Sequence, residues 1–353
     1  MITLDSTGAE ETPLRRRMTP SSIRSRVAAT IIGFGTLAVI TCALAPLVGT
    51  TPISLTRALD PSVPFDQNVD AQIFFVARLP RVLAGALVGS ALAAAGVVFQ
   101  AMLRNPLATP FTLGVSAGAS LGAMLVIVFG GALTLGPLST VPAASFAGAA
   151  AATALVYWLA TRHGHALSTS VLLLAGVTLN SFLSAIIMFV QYFADFAQIY
   201  RAVRWIMGDL DVGGFDTLLA SLPLVVVAFA LFALLPSSLN LLSVGKDAAA
   251  ARGVDVARAQ RIAFFSASVA TAAAVSVAGP IGFVGIVVPH LVRLMVGVDH
   301  RIVLPASALF GAAFLVACDL LARTILSPVE IPVGVVTALI GGPFFLWLLV
   351  RKS

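Results

Sequence analysis

Residues 80–103 read PRVLAGALVGSALAAAGVVFQAML, and this stretch decides which solvent the chain folds in. Between Arg81 and Arg104 it carries no charge, and its only polar side chains are Ser90 and Gln100. At about 1.5 Å per helical residue it can cross the roughly 30 Å hydrocarbon core of a bilayer. The same ruler finds about ten such runs along the chain. They fall at approximately 27–49, 80–103, 111–130, 139–161, 170–193, 216–236, 260–279, 281–298, 303–323 and 331–350. The division inside the long apolar stretch 260–298 is set at Gly279-Pro280, because proline removes a backbone donor and glycine relaxes the turn. Composition agrees: 59% of the residues are apolar and 10% are charged, and the mean hydropathy is +1.03. A soluble domain carries about a quarter charged residues and needs them to coat its surface. The expected fold is all-α, a polytopic membrane protein with one transmembrane domain over residues 27–353.

The net charge of +6 would suggest a nucleic-acid partner if it formed a patch, but the basic residues gather at helix ends. Arg57, Arg78, Arg81, Arg201, Arg204 and Arg323 fall on one side of the predicted membrane. The other 15 of the 21 basic residues fall on the opposite side, with both termini. Positive residues favour the cytoplasmic face, so both termini are expected inside. The apolar run from Val27 to Val48 follows five arginines and contains Ala43-Leu44-Ala45, which is the outline of a secretory signal. It is longer than the about 7–15 residues of a signal core, and Pro46 stands where a mature chain would begin. It is therefore read as a retained first helix, preceded by a disordered cytoplasmic tail over residues 1–26. Cys42 and Cys318 sit inside apolar runs and read as small buried hydrophobes rather than a disulfide.

Two connections are too long or too polar to be simple links. Residues 50–79, outside, hold Asp60, Asp66 and Asp70 among Pro52, Pro61 and Pro64. Residues 237–259, inside, read as two short helical pieces broken at Gly245 and Gly253. An alanine-rich hairpin of mixed charge has no packing use within a bilayer, so it reads as a docking surface for another protein. Gly114, Gly118 and Gly122 on the third helix, with Gly85 and Gly89 on the second, are spaced for close helix packing.

Catalytic and nucleotide-binding patterns are missing. Gly245-Lys246-Asp247 lacks the upstream glycine and the Ser/Thr of a phosphate loop, so neither ATP nor its magnesium is expected on this chain. His163 and His165 share a loop without a third ligand, and His290 and His300 lie elsewhere, so no metal site is expected. An ion-coupled transporter should carry unpaired carboxylates within the membrane. Only Asp319 qualifies, and Arg323 lies one turn further on as a partner. Arg201 and Arg204 stand beside Trp205 and ahead of Asp209, Asp211 and Asp216. They suit either interfacial anchoring or attraction of an anionic solute.

From Arg78 onward the chain resembles the permease family that imports vitamin B12, ferric siderophores and haem. The resemblance rests on Arg78-Leu79-Pro80-Arg81, Arg104-Asn105-Pro106-Leu107-Ala108 and Leu113-Gly114-Val115-Ser116-Ala117-Gly118. It continues through Leu167-Ser168-Thr169-Ser170, Gly282-Phe283-Val284-Gly285 with Pro289-His290, and Glu330-Ile331-Pro332-Val333-Gly334. It implies a type II ABC importer permease: a homodimer in the bacterial inner membrane, served by two ABC ATPase subunits and a periplasmic substrate-binding protein. It further implies that Arg78, Arg81 and Arg323 meet glutamates of the binding protein, for which exposed guanidiniums are suited. The hairpin, through Gly245, Lys246, Asp247, Ala250, Arg252, Gly253 and Val254, would couple to the ATPase. Asn105, Leu107, Ser168 and Thr169 would line the cytoplasmic gate, and His290 would structure the end of the eighth helix. Gly208-Asp209-Leu210-Asp211 departs from the pattern by carrying acids where small residues are familiar. The expected cargo is an iron chelate, either ferric siderophore or haem, with cobalamin as the alternative.

Overall fold

The computed structural model describes residues 20–130, 134–135, 138–162 and 167–352. Its helices are α1 (Pro20–Leu44), α2 (Leu55–Ala58), α3 (Val69–Gln72), α4 (Leu79–Leu103), α5 (Val115–Phe129), α6 (Thr140–Thr161), α7 (Thr169–Gln191) and α8 (Phe196–Ile206). They continue as α9 (Asp216–Ala233), α10 (Pro236–Val244), α11 (Lys246–Ala250), α12 (Val256–Ala278), α13 (Val284–Val296), α14 (His300–Thr324) and α15 (Val333–Lys352). A two-residue ladder, β1 (Thr134–Leu135) with β2 (Leu138–Ser139), is the only strand pairing among the described residues. The ten expected membrane runs correspond to α1, α4, α5, α6, α7, α9, α12, α13, α14 and α15.

Burial sorts these helices into a centre and a rim. In the most apolar windows of α4 and α12, 78% of residues are buried, and in α14 72%, whereas α1 has 11% and α7 22%. The rim helices keep their apolar faces for lipid or for other chains. Small residues put α4 at the centre, because they let neighbouring backbones approach closely. A Cβ added to Gly89 would lie 2.2 Å from the Gly311 carbonyl oxygen of α14, and one on Gly96 2.0 Å from that of Gly285 on α13. Gly118 and Gly122 meet α6 in the same way, at Gly148 and Ala144. Gly114 is a correction to the expected stripe. It has φ +84° and caps the turn Pro110–Leu113, so α5 starts later than expected.

Two further boundaries differ. The first helix begins at Pro20 rather than Val27, since proline suits a first turn. The stretch 20–26 is therefore helical rather than part of a disordered tail, and Arg26 donates to the Val296 carbonyl at 3.2 Å. Residues 1–19 of the expected tail, and the His163–His165 pair, lie outside the described residues. The expected outer loop 50–79 holds α2 and α3, capped by the side chains of Ser54 and Asn68. A π-helical turn, Ile73–Arg78, then joins α3 to α4, giving one helical run from Val69 to Leu103.

The division at Gly279-Pro280 is where expected, but the helix beyond it is not a full span. With 13 residues, α13 reaches only about 20 Å. The non-helical segment 279–283 is thus carried into membrane depth, where protein must satisfy its backbone. Gly279 has φ +66°, and a Cβ there would stand 2.2 Å from the Trp205 carbonyl oxygen. Beside it, Asp209 N–H donates to the Ala278 carbonyl at 2.9 Å. Replacing Gly279 with Ala is expected to destabilise the fold by about 1–3 kcal/mol through strain and displacement. A thermal melt in detergent reads this, and an unchanged midpoint would remove that account of the glycine.

Candidate functional site

The candidate side chains stand at helix ends, and they form two groups. At the end bearing α2 and α3, a cavity of about 750 Å³ is lined by Arg78, Arg81, Arg204, Asp211, Arg323 and Glu330. Arg78 closes the π-helical turn, and Arg81 follows Pro80 in the first turn of α4. Arg81 Nε donates to Asp319 Oδ1 at 2.9 Å and its Nη1 to Glu330 Oε2 at 2.7 Å. Arg323 Nε faces Asp319 Oδ2 at 3.1 Å, as an ion pair without hydrogen-bond alignment. Its remaining donors reach the Ala45 and Val48 carbonyls at 3.1 and 3.3 Å. Arg78 Nη1 donates to the Pro46 carbonyl at 3.1 Å, and its Nη2 to that of Thr51.

The expectation of exposed guanidiniums is therefore corrected. Arg78, Arg81 and Arg323 are only 6%, 8% and 3% exposed. A charge removed from water needs compensation, and here two carboxylates and four carbonyls provide it. Three arginines against Asp319 and Glu330 still leave one formal positive charge in the cluster. Glu330 is the member that sequence reading missed as a partner. It appeared only inside Glu330-Ile331-Pro332, and its side chain is 42% exposed.

Arg201 and Arg204 lie on α8, which opens with a capping box between Asp195 and Gln198. Arg201 is exposed to the surroundings. Arg204 Nη2 donates to Asp209 Oδ2 at 2.5 Å, and that bond and charge raise the arginine's pKa. Asp209 thus holds Arg204 to its own chain. Between the two acids, Leu210 is fully buried and would meet any side chain added at Gly85.

The second group lies at the end bearing α10 and α11. The α4 helix ends at Arg104, which has φ +50°. Asn105 Oδ1 accepts from Leu107 N at 2.9 Å, and Leu107 is 47% exposed. Ser168 caps α7 by accepting from Val171 N at 3.4 Å, and Thr169 is the first residue of that helix. A cavity of about 650 Å³ joins Asn105 to Gln100, Arg104, Asn240, Arg293 and His300. Asn240 of α10 donates to Asp299 at 2.7 Å and accepts from His300 N at 2.9 Å, tying the hairpin's first helix to the start of α14. Burial opposes the charge on Asp299, but bonds from Asn240 and from Arg301 N hold its pKa below the usual carboxylate range. Sequence reading missed Asn240 and Asp299.

The hairpin has the two pieces expected, α10 and α11, broken at Gly245. Gly253 has φ +82° and open space around it, and Val254 N–H closes the turn on the Ala249 carbonyl at 3.1 Å. Asp247, Ala250, Arg252 and Gly253 are exposed, whereas Lys246 and Val254 are half-buried. The Lys246 ammonium turns inward and donates to the Leu167 carbonyl at 2.7 Å. Burial, with Arg104 nearby, lowers its pKa. His290 lies within α13 rather than at its end, and its ring is 6.0 Å from that of Phe344 on α15. Both cysteines are free, and no group of three or more His, Cys, Asp or Glu side chains that could hold a metal gathers among the described residues.

Comparison with known proteins places these features in context. The FecCD transport family matches residues 37–351. The chain is 45% identical to the cobalamin import system permease protein of Halobacterium salinarum, covering 84% of this chain and 78% of that one. It is 41% identical to the hemin transport system permease protein of Yersinia pestis, covering 78% and 82%. A solved structure described as an inward-facing conformation of a metal-chelate type ABC transporter shares 33% identity, with a TM-score of 0.80. That match covers 92% of this chain and 99% of the solved one.

Proposed function

Because this chain belongs to the FecCD transport family, we propose that it is the permease through which a separate ATPase drives an iron chelate, ferric siderophore or haem, into the cell. Membership makes it a multi-pass transport permease of an ABC importer rather than an enzyme. The observation that supports a chelated metal as cargo is the metal-chelate type transporter, whose fold this chain shares over nearly its whole length. The hemin permease carries the iron reading, and the archaeal cobalamin permease supports cobalamin as the second reading.

In this proposal two copies form a homodimer in the bacterial inner membrane, with both termini and the α10–α11 hairpin in the cytoplasm. Two ATPase subunits bind ATP and magnesium and seat the exposed tip Asp247–Gly253. A binding protein docks at the arginine cluster on the outer side, where one uncompensated positive charge favours its carboxylates. Asn105, Leu107, Ser168 and Thr169 form the inner gate, whose short uncharged side chains close without gripping the solute. Arg201, unlike Arg204, is left to meet an anionic group of the cargo at the outer mouth.

ATP hydrolysis by the reconstituted complex with its binding protein, tested across haem, ferric siderophores and cobalamin, decides between the readings. Stimulation by an iron chelate is expected. Stimulation by cobalamin alone would select the second reading, and none by any of the three would overturn both. Glu330→Gln tests the docking assignment more finely, because Glu330 occupies one donor of Arg81. Its removal is expected to strengthen binding-protein affinity by about 1 kcal/mol or less, up to roughly fivefold, as befits a half-exposed pair. Weaker binding in a titration would mean that Glu330 assists docking instead.

A further inference from the structure

Lys246 sits at the joint of the hairpin but does not belong to its exposed face. Its ammonium donates to the Leu167 carbonyl at 2.7 Å. Leu167 is 3% exposed, and the next two residues, Ser168 and Thr169, cap and begin α7. Arg104, the residue before Asn105, also approaches the preceding Gly245: its Nη1 would be 4.0 Å from a Cβ there. The joint thus stands between the two short segments assigned to the inner gate.

Further along, α7 is fastened to the turn at 110–113, which follows the Asn105–Leu107 segment. Asn180 of α7 donates to the Phe111 carbonyl at 2.9 Å, and a Cβ on Gly176 would stand 2.2 Å from the Thr112 carbonyl oxygen. The turn at 110–113 and the middle of α7 are therefore tied side by side. Among the described hydrogen bonds, the Lys246–Leu167 bond is the one by which an α11 side chain reaches the residues leading into α7. A lysine suits the role, because three rotatable donors on a flexible stem can follow a carbonyl through a displacement.

We propose that Lys246 is a positioning residue for the inner gate, tying the hairpin to the start of α7 rather than contacting the ATPase. Closure of the ATPase would then draw Leu167, and with it Ser168 and Thr169, through this bond. The inference rests on the permease reading above.

The test uses the purified complex of permease and ATPase in lipid nanodiscs, with Cys42→Ser and Cys318→Ser removing the native thiols. Thr169→Cys is alkylated by a bulky maleimide, with and without ATP and vanadate. In the Lys246 parent the rate is expected to change about fivefold or more between the two states, as for a coupled site. In Lys246→Met the two rates become equal while the ATPase still copurifies. Lys246→Arg, which can still donate to the carbonyl, restores most of the difference. A Lys246→Met complex that keeps the parental change overturns the proposal. Loss of the ATPase from that complex also overturns it, by making Lys246 a docking contact. A parent without any nucleotide-dependent change removes Thr169 from a moving gate, and the proposal with it.

Discussion

Deleting residues 246–253 is expected to reduce ATP-driven uptake to background while leaving the membrane helices folded. The removed piece contributes little to the core. Only Ala249 is buried in α11, and Asp247, Ala250, Arg252 and Gly253 face outward. Flanking structure has its own anchors, because Asn240 fixes α10 to the start of α14 and Asp255 caps α12. The thermal midpoint should move little, while uptake into proteoliposomes carrying the ATPase and binding protein disappears. Retained uptake would refute the assignment of the hairpin as the coupling element.

Replacing Asp319 with Ala has the largest expected effect on stability. Asp319 is 1% exposed and sits between Arg81 and Arg323. Its loss leaves two buried guanidiniums with Glu330 as their one carboxylate, and breaking such a pair from one side costs about 3–5 kcal/mol. A sharply lower melting midpoint and reduced yield of folded protein are expected. Adding Arg81→Gln should recover part of the loss, since it removes one of the charges left unpaired. If the double variant melts as far down as the two single losses combined, the ionic account fails. The same geometry makes charge reversal at Arg81 a poor probe of docking. A glutamate there would join Asp319 and Glu330 in a buried cluster of like charge, and folding would fail before docking could be measured.

The helices were legible because the membrane imposes length, and length can be counted in the sequence. Runs such as 170–193 and 303–323 return as α7 and α14 with small shifts at the ends. Proline misled at one boundary. Pro80 reads as a helix start, yet Ile73–Arg78 adopts a π-helical turn and carries the helix through, with the proline accommodated in the next turn. The segment after Gly279 also resisted reading, since its apolar residues hide the fact that the backbone is not helical there.

Side-chain partners divided by sequence distance. The Asp319–Arg323 pair is one turn apart on one helix and could be anticipated. The partners of Arg81 lie 238 and 249 positions away, and nothing local to Arg78-Leu79-Pro80-Arg81 announces them. Exposure was misjudged for the same reason: an arginine at a helix end looks wet until its neighbours are known. Lys246 shows the converse, since a polar hairpin suggests solvent on every face and only the fold shows which charge turns in.

The α14 helix joins the two groups mechanically. Asp299 at its foot holds Asn240, and Asp319 near its far end holds Arg81. These two acids are separated by about 30 Å of rigid helix. Pivoting this rod by about five degrees at its foot would sweep Asp319 sideways by roughly 3 Å, comparable with the length of a hydrogen bond. A small nudge beneath the membrane would thus be felt as a broken or reformed bond above it.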